Sequence, residues 1–128
     1  MKQVNVLLIG LGRMGSRFFD KFTEAGSERV NVIAVCETNE KNPKLIEAKK
    51  AGIACYMDFK TAIREFGESI DIIMDTSNRP EIKQSVRQIL QETDNHKTVL
   101  IPMVVDYLMW YLLPGNEPIP QDHVEIGY

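Results

Sequence analysis

Three glycines in the order Gly10-Leu11-Gly12-Arg13-Met14-Gly15 follow directly on an apolar run, Val4-Asn5-Val6-Leu7-Leu8-Ile9. Behind them, Ser16-Arg17-Phe18-Phe19-Asp20-Lys21-Phe22 reads as a helix. A second apolar run, Val30-Asn31-Val32-Ile33-Ala34-Val35-Cys36, ends at a carboxylate, Glu37. Glycines at this spacing let backbone N–H groups come close to a phosphate, and a carboxylate after the next strand can accept hydrogen bonds from sugar hydroxyls. The chemistry this order suits is the holding of a dinucleotide by its pyrophosphate and ribose.

Each residue type has a separate task. Gly10 lets the chain leave the first strand in a tight turn. A side chain at Gly12 would collide with a pyrophosphate, and a Cβ at Gly15 would hold the helix off the sheet. The first N–H groups of the helix and its dipole favour negative charge at that end. Leu11, Arg13 and Met14 complete the loop. Glu37 accepts from the adenosine ribose and repels a 2′-phosphate, which favours NAD over NADP. Asn39, Lys41 and Lys44 follow closely enough to receive a phosphate instead. The same glycines would also serve a turn that only packs a helix on a strand, with Glu37 solvated.

Around this turn the pattern alternates. Asn42-Pro43 starts a helix through Leu45-Ile46-Glu47-Ala48 that stops at Gly52. Ile53–Met57 is a short third strand. Asp58 caps a helix whose Phe59, Ala62, Ile63 and Phe66 fall on one face, and Gly67 ends it. Ile70–Met74 is the fourth strand. Ser77 or Asn78 caps the next helix, with Pro80 in its first turn and Ile82, Val86, Ile89 and Leu90 as its buried stripe. Thr98–Ile101 is the fifth strand. Strictly alternating strands and helices imply parallel pairing through right-handed crossovers. The expected fold is α/β, a Rossmann-type doubly wound parallel sheet of order 3-2-1-4-5, with its crevice at the carboxyl ends of the first and fourth strands. Residues 1–103 form the dinucleotide-binding domain, and residues 104–128 add a C-terminal helix and tail to it.

That last segment differs in character. Val104-Val105-Asp106-Tyr107-Leu108-Met109-Trp110-Tyr111-Leu112-Leu113 is apolar nearly all round as a helix. Val104, Val105, Leu108, Met109 and Leu112 are expected to face the sheet, leaving Tyr107, Trp110, Tyr111 and Leu113 partly exposed. Aromatic residues and methionine are enriched in interface cores, so the segment reads as a homo-oligomer interface anchored by Trp110. The alternative is a last core helix with the tail, Asn116 to Tyr128, packed over it.

Composition narrows the remaining classes. With 44% hydrophobic and 26% charged residues in 128, the chain is an ordinary soluble globular domain long enough to bury a core. A net charge of −3 and the lack of a basic run leave no footprint for nucleic acid or a membrane surface. The start lacks a secretory pattern, and no apolar stretch is long enough to span a bilayer. Cys36 and Cys55 are isolated and read as reduced thiols, which makes the cytoplasm the expected compartment. His96 and His123 are isolated too, and no metal site is expected.

The order strand, Gly-Leu-Gly-Arg-Met-Gly, helix, strand, Glu37 resembles the nucleotide-binding domain of NAD(P)-dependent dehydrogenases. Asp71-Ile72-Ile73-Met74-Asp75-Thr76-Ser77-Asn78-Arg79-Pro80-Glu81 is similar to the fourth-strand segment of the Gfo/Idh/MocA oxidoreductases, and homoserine dehydrogenases and dihydrodipicolinate reductases look related at the same places. The likeness covers about residues 3 to 102. It implies that Thr76, Ser77 and Asn78 flank the nicotinamide-side ribose and pyrophosphate. It also marks a departure: where that family's fifth strand ends in Glu-Lys-Pro, this chain has Leu100-Ile101-Pro102. The lysine that helps position substrate and move a proton is missing, and no second, substrate-binding domain follows within residues 1–128. Asp75 and Asp106 lie near the expected crevice, the former read as structural and the latter as a surface or cap residue.

Two functions follow. The leading one is an NAD-binding Rossmann domain of oxidoreductase type that lacks its own substrate domain and works in an oligomer or with a separate chain. The other is a non-catalytic sensor or assembly module responsive to NAD(H). A scaffold that no longer binds cofactor and an S-adenosylmethionine methyltransferase rank behind them.

Overall fold

A computed structural model of the chain describes residues 2–115, 118 and 119. Five parallel strands, β1 (Val4–Ile9), β2 (Val30–Cys36), β3 (Ala54–Tyr56), β4 (Ile72–Asp75) and β5 (Val99–Leu100), lie in the order β3-β2-β1-β4-β5. This is the doubly wound α/β order expected. Register fixes the site: Ile9 pairs with Cys36 on one side and with Asp75 on the other. Gly10, Glu37 and Thr76, each one residue further on, therefore emerge together at the carboxyl edge of the sheet.

The helices divide between the two faces, because successive strand residues point opposite ways. Val6, Leu8, Val35 and Met74 pack with Leu11, Met14, Phe18 and Phe19 of the glycine loop and α1 (Arg13–Ala25), Leu45 and Ala48 of α2 (Pro43–Lys50), and Trp110 of α5 (Met103–Tyr111). Leu7, Ile9, Ala34 and Ile73 pack with Ala62 and Ile63 of α3 (Phe59–Phe66) and Ile82, Val86 and Ile89 of α4 (Pro80–Glu92). Covered on both faces, β1 is apolar along its length except Asn5, as parallel strands are. Burial of Phe18 and Phe19, both within 1% of complete, contributes about 1.5–3 kcal/mol each.

Local chemistry sets most boundaries. Asn42 caps α2, its side-chain oxygen accepting from the Lys44 and Leu45 amides, and Pro43 follows. Asp58 caps α3 at the Lys60 amide, and Gly67 ends it at a φ of 50°. The fourth strand begins later than its apolar run, at Ile72, because Gly67–Ser69 form a 3-10 turn ahead of it. The fifth is only two residues long. The helix α4 corrects one expectation. Its N-cap is Arg79, without a side-chain cap, and neither Ser77 nor Asn78 serves, because the Ser77 hydroxyl donates to Asp75 instead.

The orientation of α5 is a larger correction. Met103, Asp106 and Trp110 point inward, and Val105, Tyr107 and Met109 are half-buried. Val104, Leu108 and Leu112, expected on the sheet, are 62%, 58% and 76% exposed, alongside Tyr111. Trp110 stands edge-on to Phe18, with ring centroids 6.0 Å apart, and its indole N–H donates to the Pro118 carbonyl at 3.1 Å. It is a core residue, not a surface anchor. A helix apolar all round carries little information about its rotation, and its one charged residue, Asp106, is fully buried rather than on the surface. The proposed cover of tail residues 116–128 lies outside the described residues, apart from Pro118 and Ile119; Ile119 packs against the core.

A candidate dinucleotide-binding crevice

At the carboxyl edge the chain leaves β1 through Gly10, whose φ of 90° suits glycine. Its amide donates to the Cys36 carbonyl at 2.8 Å, which joins the turn to β2. Gly15 is where α1 presses closest: a Cβ there would fall 2.6 Å from Thr76 Oγ1 and nearer still to the Gly10 carbonyl oxygen. Gly12 is the opposite case. A Cβ there would meet nothing within 4 Å, and the residue is extended, with φ −72° and ψ −159°. The space beside Gly12 is free, as a cradle for a ligand requires. By helix geometry the first N–H groups of α1 lack a partner within the helix, and no acidic residue stands in its first turn, which suits this end to an anion.

Glu37 binds the loop itself. One carboxylate oxygen accepts from the Leu11 amide at 2.8 Å and the other from the Asn39 amide at 2.9 Å. The Leu11 carbonyl accepts from Asn42 Nδ2 and the Ser16 hydroxyl, at 2.8 and 2.9 Å. The peptide of Leu11 is thus held from both sides while its side chain is buried in the core. Lys44, a possible phosphate receiver, is committed elsewhere. Its ammonium meets Asp20 at 2.7 Å and Glu47 at 3.3 Å, and the bond to Asp20 raises its pKa.

The facing wall comes from the end of β4. The Thr76 hydroxyl donates to the Gly10 carbonyl at 3.0 Å, with the Ile9 carbonyl at 3.2 Å, and ties this wall to the glycine turn. Asp75 Oδ1 accepts from both the amide and the hydroxyl of Ser77. Asn78 adopts a φ of 63°, a left-handed conformation that asparagine tolerates better than most residues.

Between the walls lies a cavity of about 530 Å³. Eight of the ten sequence-predicted site residues line it: Gly10, Gly12, Arg13, Met14, Glu37, Thr76, Ser77 and Asn78. Leu11 and Gly15 do not, and act through packing and backbone bonds instead. The crevice also takes in Thr38, Met57 and Arg79, which sequence reasoning passed over. Their signal was position alone, directly past β2 and β3 or ahead of α4. Cys36 lines it too, but burial, with Asp58 and Cys55 adding to it, pushes its thiol up to about 12, so it is no nucleophile. Among the described residues no group of three His, Cys, Asp or Glu side chains could hold a metal ion.

Sheet order, glycine turn, the helix N-terminus behind it and the carboxylate after β2 together define a dinucleotide-binding domain of the Rossmann class. Residues 4–106 match the oxidoreductase family with an NAD-binding Rossmann fold, Gfo/Idh/MocA, and the chain belongs to that family. Among solved structures it is similar to the WlbA dehydrogenase from Bordetella pertussis, in complex with NADH and UDP-GlcNAcA, with a TM-score of 0.55 and 18% identity over 69% of this chain. It is also similar to myo-inositol 2-dehydrogenase from Lactobacillus plantarum, with a TM-score of 0.52 and 27% identity over 69% of this chain. The match spans only 27% and 26% of those two chains. No curated protein sequence matches.

Proposed function

We propose that this chain holds NAD or NADH across Gly10–Gly15, with Glu37 on the adenosine ribose and Thr76, Ser77 and Asn78 beside the nicotinamide half. The observation that carries the reading is the pairing of an open Gly12 with the N-terminus of α1 and the Glu37 carboxylate on one crevice. The loop is already shaped: Glu37, Asn42 and Ser16 fix Leu11, so binding costs little ordering of backbone. Arg13 adds positive charge at the crevice. Glu37 disfavours a 2′-phosphate, and the engagement of Lys44 with Asp20 removes one receiver for it. Calorimetric titration with NAD, NADH, NADP and NADPH tests this, and equal or tighter NADPH binding would overturn the role of Glu37.

A bound nicotinamide would supply hydride transfer at its C4 position. The chain's own residues orient the cofactor, and the substrate and its proton donor come from outside residues 1–128. Supporting this, Leu100, Ile101 and Pro102 bring no proton-carrying side chain to the end of β5, and Asp75 is buried and bonded to Ser77. Substantial turnover of any one polyol, amino acid or hydroxy acid by this chain alone would refute it.

The second reading, an NAD(H)-responsive assembly module, draws on the outer face of α5. Val104, Leu108, Tyr111 and Leu112 form an exposed apolar stripe with no charge in it, suited to a second copy of the chain or to a substrate-domain chain. No helix among the described residues is long and apolar enough to cross a membrane. Both cysteines are free thiols, which fits the cytoplasm.

A further inference from the structure

Three ionisable side chains are sealed together beyond the short β5. Asp75 at the end of β4 and Asp106 on α5 are fully buried, and Lys83 on α4 is 2% exposed. Lys83 donates to the Ile101 carbonyl at 3.3 Å, and its ammonium lies 3.9 Å from Asp75 Oδ2. One ammonium therefore faces two carboxyl groups. Asp75 Oδ2 and both oxygens of Asp106 are buried without a hydrogen-bond partner. The charged groups acting on Asp106 are Lys83 from α4 and Asp75 from β4; on α1, Arg17 reaches past α5 to the Pro114 carbonyl.

An ionised carboxylate without donors is costly to bury, so this enclosure suits the neutral form of Asp106. Asp75 is tied to the site instead, its Oδ1 accepting from the amide and hydroxyl of Ser77 on the crevice wall. Lys83 bonds to Ile101, just before α5 begins. The cluster thus touches the seat of α5 at one end and the wall of the crevice at the other.

We propose that Asp106 is a proton-operated latch: protonated, it seats α5 over Lys83 and Asp75; ionised, it competes with Asp75 for the single ammonium and loosens α5 together with the Ser77 wall. The balance falls in a usable range, since burial pushes the Asp106 carboxyl up to about 7 while Lys83 pulls it down and Asp75 pushes it further up. The link to the crevice rests on the dinucleotide reading above. A ligand that favours the seated form must then raise the proton affinity of Asp106 by the same factor that protonation raises ligand affinity.

The test uses the full chain with His96 and His123 replaced by glutamine, which removes both imidazoles of the chain. The chain has one tryptophan, Trp110, one turn beyond Asp106 and packed on Phe18. Its emission should shift to the red in a single step as pH rises from about 5.5 to about 8.5, as the carboxyl ionises and α5 loosens. Asp106→Asn should abolish the step. Lys83→Met should move its midpoint to higher pH, and this variant decides the matter if Asp106→Asn does not fold. An unchanged step in Asp106→Asn, or no step in the parent, overturns the latch. Calorimetry with NADH should give an affinity roughly fivefold or more weaker at the alkaline end in the parent, and pH-independent in Asp106→Asn. Equal affinity at both ends, with the tryptophan step intact, overturns the coupling to the crevice. A chain that binds no NADH at any pH refutes the dinucleotide reading, and the tryptophan titration still decides the latch.

Discussion

Gly12 and Gly15 sit in one motif, yet the structure predicts opposite outcomes for them. A side chain at position 12 enters open space from an extended backbone that any residue adopts. Two small terms then oppose each other in Gly12→Val. Loss of glycine at an N-cap costs up to about 1 kcal/mol, and a less flexible unfolded chain returns about 0.4–1 kcal/mol. Net stability should stay within about 1 kcal/mol of wild type, a shift in Tm of a few degrees at most. Binding should suffer far more, since on the proposed reading the valine methyl groups would enter the space meant for the pyrophosphate. Loss of affinity for NADH by a factor of about 100 or more, roughly 2.7 kcal/mol, is expected. Gly15→Ala is the converse: its methyl overlaps the Gly10 carbonyl and Thr76 Oγ1, and overpacking of this kind costs about 1–3 kcal/mol. Thermal denaturation and NADH calorimetry on both variants separate the two effects. Wild-type NADH affinity in Gly12→Val would place the cofactor elsewhere, and a Gly15→Ala protein as stable as wild type would refute the packing argument.

Other outcomes follow from single contacts. Glu37→Ala frees the Leu11 and Asn39 amides, so it should weaken NADH binding at least about tenfold and cost about 1–3 kcal/mol of stability, read by calorimetry and urea denaturation. Trp110→Ala should destabilise by about 3–5 kcal/mol without a specific effect on assembly, because the ring is buried against Phe18. Leu108→Glu with Leu112→Glu should instead shift any dimer to monomer in sedimentation while the fold stays intact; a wild-type monomer at high concentration would refute the α5 interface. The Cys36 thiol, held at about 12, should resist alkylation in the folded chain at pH values where a free thiol reacts. Because the unfolded thiol ionises near its ordinary value of 9.0, the stabilisation from burying Cys36 neutral is whole below that pH and is lost as pH rises toward about 12, visible as a falling Tm.

The fold was legible in the sequence wherever a residue type has one local consequence. Proline after Asn42, aspartate before Phe59 and a glycine after Phe66 each fix a helix end through bonds made within a few residues. The glycine motif was legible for the same reason, because turn, cradle and close approach depend on the absence of a side chain. Legibility failed where the outcome depended on a distant partner. Ser77 looks like a helix cap from its neighbours, but Asp75 claims both its amide and its hydroxyl. Apolar side chains spread around α5 leave its rotation undetermined by sequence, and nothing local turns Val104 and Leu108 outward and Trp110 inward. The inward face of α5 carries Asp106 with Met103 and Trp110, and the buried neighbours of that carboxyl, Asp75 and Lys83, lie 31 and 23 positions earlier in the chain. Polar residues normally mark the wet face of a helix. A carboxyl that points inward therefore inverts the usual reading, and the inversion carries information: the face of α5 left in water is an apolar stripe, and the face turned to the core holds the one carboxyl of the helix.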